Sequence, residues 1–118
     1  MKIKFQELNK IREVFMKLTK LSLPIKISYP IAKFMRETDG DMNFYCEELN
    51  KIISTYRDGS DKDTVTIQKD KIDEFNSKIF ELDNQEIEVN KIKIDLEVIS
   101  EKIELTIEDM YWLSPIIE

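Results

Sequence analysis

The chain has 118 residues, a length that predicts one domain over residues 1–118 with a core that needs no staples. Hydrophobic residues are 42% and charged residues 36%, which excludes a disordered or membrane-embedded chain. With no histidine and a single cysteine, His-based acid/base chemistry, Ser-His-Asp and Cys-His nucleophilic sites, most transition-metal sites and an intrachain disulfide are all excluded.

No stretch approaches the roughly 18 apolar residues of a membrane span. The opening Met1-Lys2-Ile3-Lys4-Phe5 does not read as a signal peptide. A cytoplasmic location is expected, and the lone Cys46 fits a reducing compartment. Charge is unevenly placed. Residues 1–36 hold nine basic and two acidic residues, a net +7; residues 37–118 hold nine basic and twenty-two acidic, a net −13. Three arrangements fit this. The two parts neutralise each other in the fold, the basic part binds nucleic acid, or the acidic part docks on a basic protein surface.

In chain order, Phe5, Leu8, Ile11, Val14, Phe15 and Leu18 recur at steps of three and four and predict an amphipathic helix. Leu21-Ser22-Leu23-Pro24 ends it, since the residue before proline avoids helical angles. Ile25-Lys26-Ile27 alternates and reads as extended. Pro30 suits the first turn of a second helix, with Ser28 or Tyr29 at its cap. Ile31, Met35, Thr38, Met42, Tyr45, Leu49, Ile52 and Tyr56 then form a heptad-like seam, widened by Phe34, Cys46 and Ile53. This predicts a helix from Pro30 to Arg57, about 40 Å long at 1.5 Å per residue. Gly40, in Asp39-Gly40-Asp41, is its weak point. The first helix, half as long, is the expected antiparallel partner, so part of the seam is left for the C-terminal half or another chain.

Asp58–Asp63 reads as a turn and Thr64–Gln68 as a short strand. Asp70 is the expected cap of a third helix with Ile72, Phe75, Ile79 and Leu82 on one face. Ile87 and Val89 alternate with Glu86 and Glu88. Ile92, Ile94, Leu96 and Val98 alternate in the opposite parity, predicting strands joined by a turn or bulge near Asn90. Ile103-Glu104-Leu105 is a candidate last strand. Thr106 and Asp109 have capping-box spacing before a terminal helical turn with Met110, Leu113 and Ile116, which Pro115 stops. The fold class is α+β: an N-terminal helical hairpin with one long helix, then a small antiparallel sheet with a packed helix and a short C-terminal helix.

No constellation carries catalysis. Asp58–Asp63 fails the calcium-loop pattern, because its glycine is second and Lys69 stands at position twelve. Glu37, Asp39 and Asp41 have no phosphate cradle near them. Lys2, Lys4, Lys10, Arg12, Lys17, Lys20, Lys26, Lys33 and Arg36 are the candidates for a nucleic-acid patch, with Tyr29 and Phe34 nearby, but overall acidity argues against it. Cys46 is expected to be a buried structural residue. Met110–Ile117 is the most apolar and aromatic run and holds the only Trp.

The opening helix, the run Leu23-Pro24-Ile25-Lys26-Ile27-Ser28-Tyr29-Pro30-Ile31-Ala32-Lys33, the pairs Ile92-Lys93-Ile94 and Ile103-Glu104-Leu105-Thr106, and the acidic-aromatic end together resemble a family of small uncharacterised proteins of phages and prophages of low-GC Gram-positive bacteria. The resemblance implies a phage-encoded accessory protein and transfers no site residues. The expected function is therefore a non-catalytic protein–protein interaction module. An inhibitor of a host defence nuclease, anti-CRISPR-like, fits, acting through Glu86, Glu88, Asp95, Glu97, Glu101, Glu104, Glu108, Asp109, Tyr111 and Trp112. No cofactor and no metal are expected. The alternatives are a phage assembly factor that forms a homodimer through the long helix, and a nucleic-acid binder using the basic first third.

Overall fold

The computed structural model describes residues 1–59 and 66–118. The architecture is α+β: a strand β1 (Lys2–Lys4), helices α1 (Phe5–Leu18) and α2 (Ile25–Tyr56), helix α3 (Ile72–Asp83), strand β2 (Glu86–Glu88), and short helices α4 (Leu96–Ser100) and α5 (Ile107–Leu113).

Helix α1 is the hub. All six residues of its predicted stripe are buried, and Leu8 and Phe15 are wholly inaccessible. The stripe packs against α2, β1 and α5. Phe5 meets Phe44 and Tyr45, while Phe15 meets Phe34 edge-on at 5.3 Å, so α1 and α2 run antiparallel. Val89, Ile92, Ile94, Ile99, Leu113 and Ile116 close the core from the other side. Each side chain of this size withdrawn from water contributes about 1.5–3 kcal/mol.

The sheet consists of β1 and β2, antiparallel, with Lys2 opposite Glu88, Ile3 opposite Ile87 and Lys4 opposite Glu86. Opposite charges face each other across the ladder and Ile3 is buried beneath it. The partner strand for Glu86–Glu88 thus comes from the amino terminus, not from the residues after Asn90.

Several expectations change. Ile25-Lys26-Ile27 is helical, because the Pro24 carbonyl accepts from both Ile27 and Ser28 and starts α2 there. This start puts Ile27 on the buried stripe with Ile31, Phe34 and Thr38. Pro30 is therefore inside the helix, not at its first position. Only the Lys26 carbonyl loses its i+4 donor. Asp70 does not cap α3. It lies in a 3₁₀ turn, Lys69–Lys71, and α3 begins after Lys71 with no side-chain cap. Of the expected strand Thr64–Gln68, positions 64 and 65 lie outside the described residues, as do positions 60–63 of the Asp58 turn. Ile67 forms a single antiparallel bridge with Arg57.

The alternating run 92–98 is not one strand. Ile92 makes an isolated parallel bridge to Ile117, and the Asp95 carboxylate accepts from the Glu97 N–H at 2.9 Å and caps α4. A short polar cap thereby overrides a period-two pattern. Ile103-Glu104-Leu105 is irregular, with Ile103 and Leu105 half-buried against the core. The Thr106–Asp109 capping box forms as expected.

Helix α2 runs unbroken through Gly40, where an added Cβ would meet nothing within 4 Å. Gly40→Ala is therefore expected to stabilise the protein by about 1 kcal/mol, the helix-propensity difference. Thermal denaturation should show a rise of a few degrees in Tm. A fall would mean that α2 needs the freedom of glycine there.

Candidate functional site

Helix α2 outruns its partner. At 1.5 Å per residue, α1 spans about 21 Å and α2 about 48 Å. Thr38 is the last buried residue of α2, and none of the described residues from Asp39 to Glu88 is buried. Beyond Tyr45, where Phe5 makes its last ring contact with α2, the helix packs chiefly on α3, and the two helices form an arm. The molecule is accordingly long, 51 × 29 × 24 Å.

Arg12 marks the arm's root. Its Nη1 donates to the Met35 carbonyl at 2.8 Å and to the Thr38 hydroxyl at 2.6 Å; its Nη2 reaches Asp39 Oδ1 at 2.8 Å. The Thr38 hydroxyl itself donates to the Phe34 carbonyl. One guanidinium thus ties α1 to the last buried turn of α2 and to the first residue beyond it.

Two contacts hold α3 antiparallel to α2. Tyr56 and Phe75 meet edge-on with centroids 6.2 Å apart, and the Tyr45 hydroxyl donates to Asp83 Oδ1 at 2.6 Å. Burial and the Asp83 carboxylate push the Tyr45 phenol up to about 12. The seam residues Tyr45, Leu49, Ile52 and Tyr56 are half-buried along this junction, as are Phe75, Ile79 and Leu82. A two-helix junction covers one stripe per helix, so neighbouring apolar side chains face water. Phe44 is 51% exposed, Phe80 70% and Ile72 41%. A cleft of about 290 Å³ lies between the helices, lined by Phe44, Glu48, Ile52, Lys78, Glu81 and Leu82. Cys46, expected in the core, is exposed on the arm because it projects away from α3.

The charge follows the same division. Residues 39–85 contain twelve acidic and six basic residues, a net −6; the rest of the chain holds twelve of each and is neutral. Within the neutral part the basic first third is partly consumed by ion pairs. Besides Arg12 with Asp39, Lys17 meets Asp109 at 3.1 Å, Lys33 meets Glu37 at 3.9 Å, and the Met1 amine meets Glu88 at 3.6 Å.

The ten residues singled out as an acidic surface lie on several elements and differ in exposure. Glu86 and Glu88 lie on β2, paired against Lys4 and Lys2. Asp95 caps α4 and shares a groove with Lys26 and Lys93. Glu97, Glu101, Glu104 and Glu108 are exposed, on α4, at its end, in the following loop and on α5. Asp109 is buried, its side chain 8% exposed. Burial works against its charge, but the Lys17 ammonium and Thr106 hold the carboxylate and keep its pKa below 3.8. Trp112 is half-buried against the core, and Tyr111, edge-on to it at 4.9 Å, is exposed. Asp109 and Trp112 are thus parts of the scaffold. The exposed Phe44, Phe80 and Ile72 were missed. Their signal was the very seam that left α2 without enough partner.

Among the described residues no group of three or more His, Cys, Asp or Glu is placed to hold a metal ion, and no helix is long and apolar enough to cross a membrane. No family model, curated protein or solved structure matches the chain.

Tyr45→Phe removes one of the two ties on α3 and should cost about 1 kcal/mol. Amide exchange is expected to quicken in α3 while α1 keeps its protection. Equal acceleration in both helices would show that the arm does not open separately. The Asp109 carboxylate gives a second readout. Its folded pKa is depressed, so its stabilising effect is present above about pH 4 and is lost as pH falls through the folded value. The stability gap between wild type and Asp109→Asn should therefore close on acidification. A gap that persists at the lowest pH would assign the effect to packing.

Proposed function

We propose that this chain is a non-catalytic protein–protein interaction module whose binding element is the arm. The observation that carries the reading is the coincidence of charge and exposure. Residues 39–85 hold a net charge equal to that of the whole protein, and the same segment exposes Phe44, Ile72 and Phe80. Aromatic side chains anchor interfaces by filling pockets, and surrounding charges select the partner and speed its encounter. The complementary surface is a protein groove with an apolar floor and Lys/Arg rims. Nucleic-acid-binding enzymes present such grooves. With the phage-like resemblance of the sequence, inhibition of a host defence nuclease is the specific role proposed. Exposed Glu97, Glu101, Glu104 and Glu108 with Tyr111 offer a second, smaller contact area on the body.

A homodimer through the arm is the competing use of the same surface. Pairing two identical arms would set one net −6 segment against another, and like charges brought together at an interface are repulsive. This favours a basic partner over a second copy.

The test is capture from nuclease-treated host lysate, followed by titration of the purified partner. Binding is expected to weaken steeply with salt. Phe80→Ala is expected to weaken it by at least about ten-fold, the effect of losing an anchor. The double change Glu74→Lys with Glu81→Lys should do the same with Tm unaltered. A complex indifferent to salt and to all three changes overturns the arm as the binding element. A doubled mass with no partner moves the reading to self-assembly.

A further inference from the structure

The fold pairs some of the cations of the basic first third, and of those that make no ion pair among the described residues Lys26 and Arg36 share one face of α2 with Lys33. On α2, Lys26, Tyr29, Lys33 and Arg36 are spaced 3-4-3, which sets them within about 80° of one another around the helix axis. All four are exposed, opposite the buried stripe of Ile27, Ile31 and Phe34. The segment between β2 and α4 runs beside them and adds Asn90, Lys91 and Lys93. Of these, Tyr29, Lys33, Asn90, Lys91 and Lys93 line a groove of about 320 Å³, together with Pro30 and Ile92. Lys93 also borders the adjoining groove with Lys26.

Among the described residues Lys26, Arg36, Lys91 and Lys93 make no ion pair. The one carboxylate in the Tyr29 groove is Glu37, which Lys33 approaches at 3.9 Å and to which Asn90 donates at 3.4 Å. Asp95 and Glu118 sit farther along, in the adjoining groove with Lys26. Tyr29 is 63% exposed, a large flat side chain held in water among cations.

We infer that this groove binds single-stranded nucleic acid, its cations tracking the phosphates and Tyr29 stacking on a base. The length of the cation row argues for a chain of phosphates. From Lys26 to Arg36 is ten residues, about 15 Å along the helix, too long for one phosphate group. The exposed tyrosine argues for a single strand, because a duplex keeps its base faces stacked and offers none to an aromatic ring. Backbone contacts plus stacking do not read sequence, so the expected ligand is single-stranded DNA or RNA with little sequence preference. This site lies on the body, stands apart from the arm and does not rest on the arm's proposed role.

The test is fluorescence anisotropy of labelled oligothymidylate and oligouridylate with the full chain, over a salt series. Binding at low salt is expected. Its logarithm should fall against log salt with a slope near about −3, since four unpaired cations each release about 0.7 counterion from a single strand. Tyr29→Ala should weaken binding about ten-fold, within the range for loss of one stacked base. Lys33→Glu with Lys93→Glu should abolish it. The same charge change on the arm, Lys51→Glu with Lys78→Glu, should leave affinity within about two-fold at moderate salt, where charges far apart are screened. All these side chains are exposed, and a thermal melt of each variant confirms that it folds. No binding at low salt overturns the inference. So does equal loss in the groove and arm variants, or equal affinity for duplex with no effect of Tyr29→Ala.

Discussion

The fold is governed by a mismatch of length. Helix α1 has 14 residues and α2 has 32, and they pack side by side. The apolar stripe of α1 is spent on the first half of α2, on the sheet and on the C-terminal helix, so one core forms around it. Beyond Thr38 nothing of comparable size is available. Helix α3 arrives with 12 residues and a single apolar face, enough to keep the distal turns of α2 company but not to bury them. Burial is the main favourable contribution to folding, so the arm draws less stability from its own contacts than the body does. Its hold depends on a few specific ties: Arg12 at the root, Tyr45 to Asp83, and Tyr56 against Phe75.

Charge adds to that asymmetry. Like charges gathered on a thin element repel one another, a cost that is smaller where solvent surrounds them. A two-helix arm with no buried carboxylate among the described residues is a tolerable place for an excess of acids. The body, where side chains are packed, is arranged otherwise. Its one buried carboxylate, Asp109, has a lysine and a capping box, and its least exposed arginine, Arg12, has three acceptors. Such pairing is what a buried charge requires.

Much of this was legible from the residues. The α1 stripe, the long seam, Phe75, Ile79 and Leu82 of the α3 face and the Thr106–Asp109 cap all follow from local periodicity or local hydrogen bonding and formed, while Ile72, expected on the same α3 face, is exposed. The misreadings lie where a local hydrogen bond or a missing distant partner outweighs the periodic pattern. Ile25-Lys26-Ile27 alternates like a strand, but the Pro24 carbonyl accepts from Ile27 and Ser28 and begins a helix there. Residues 92–98 alternate too, yet a ladder needs a second strand, and the carboxyl-terminal Ile117 offers only one bridge. The sheet that does form was readable in principle. Lys2-Ile3-Lys4 and Glu86-Ile87-Glu88 are charge-complementary triplets of the same pattern, separated by more than eighty residues. The acidic site was drawn from sequence proximity, which does not register burial: Asp109 is ion-paired and buried, while Glu86, Asp95 and Glu108 belong to three different elements.

Net charge is a poor guide to what a molecule of this shape attracts. A total of −6 argues against binding phosphates only if the charge is evenly spread. Here the nearest arm carboxylates on α2 are Asp39, already paired with Arg12, and Asp41, twelve residues or about 18 Å from Tyr29 and roughly two screening lengths at physiological salt; Glu47 and Glu48 lie farther still. At such distances the arm only weakly offsets the field of Lys33, Lys91 and Lys93, which line the groove with Tyr29. A ligand entering the groove meets the nearby cations and Glu37; a protein approaching the arm meets the acids and the exposed phenylalanines. A single rigid helix of 32 residues keeps these opposite surfaces apart, and so lets one small chain present both without either neutralising the other.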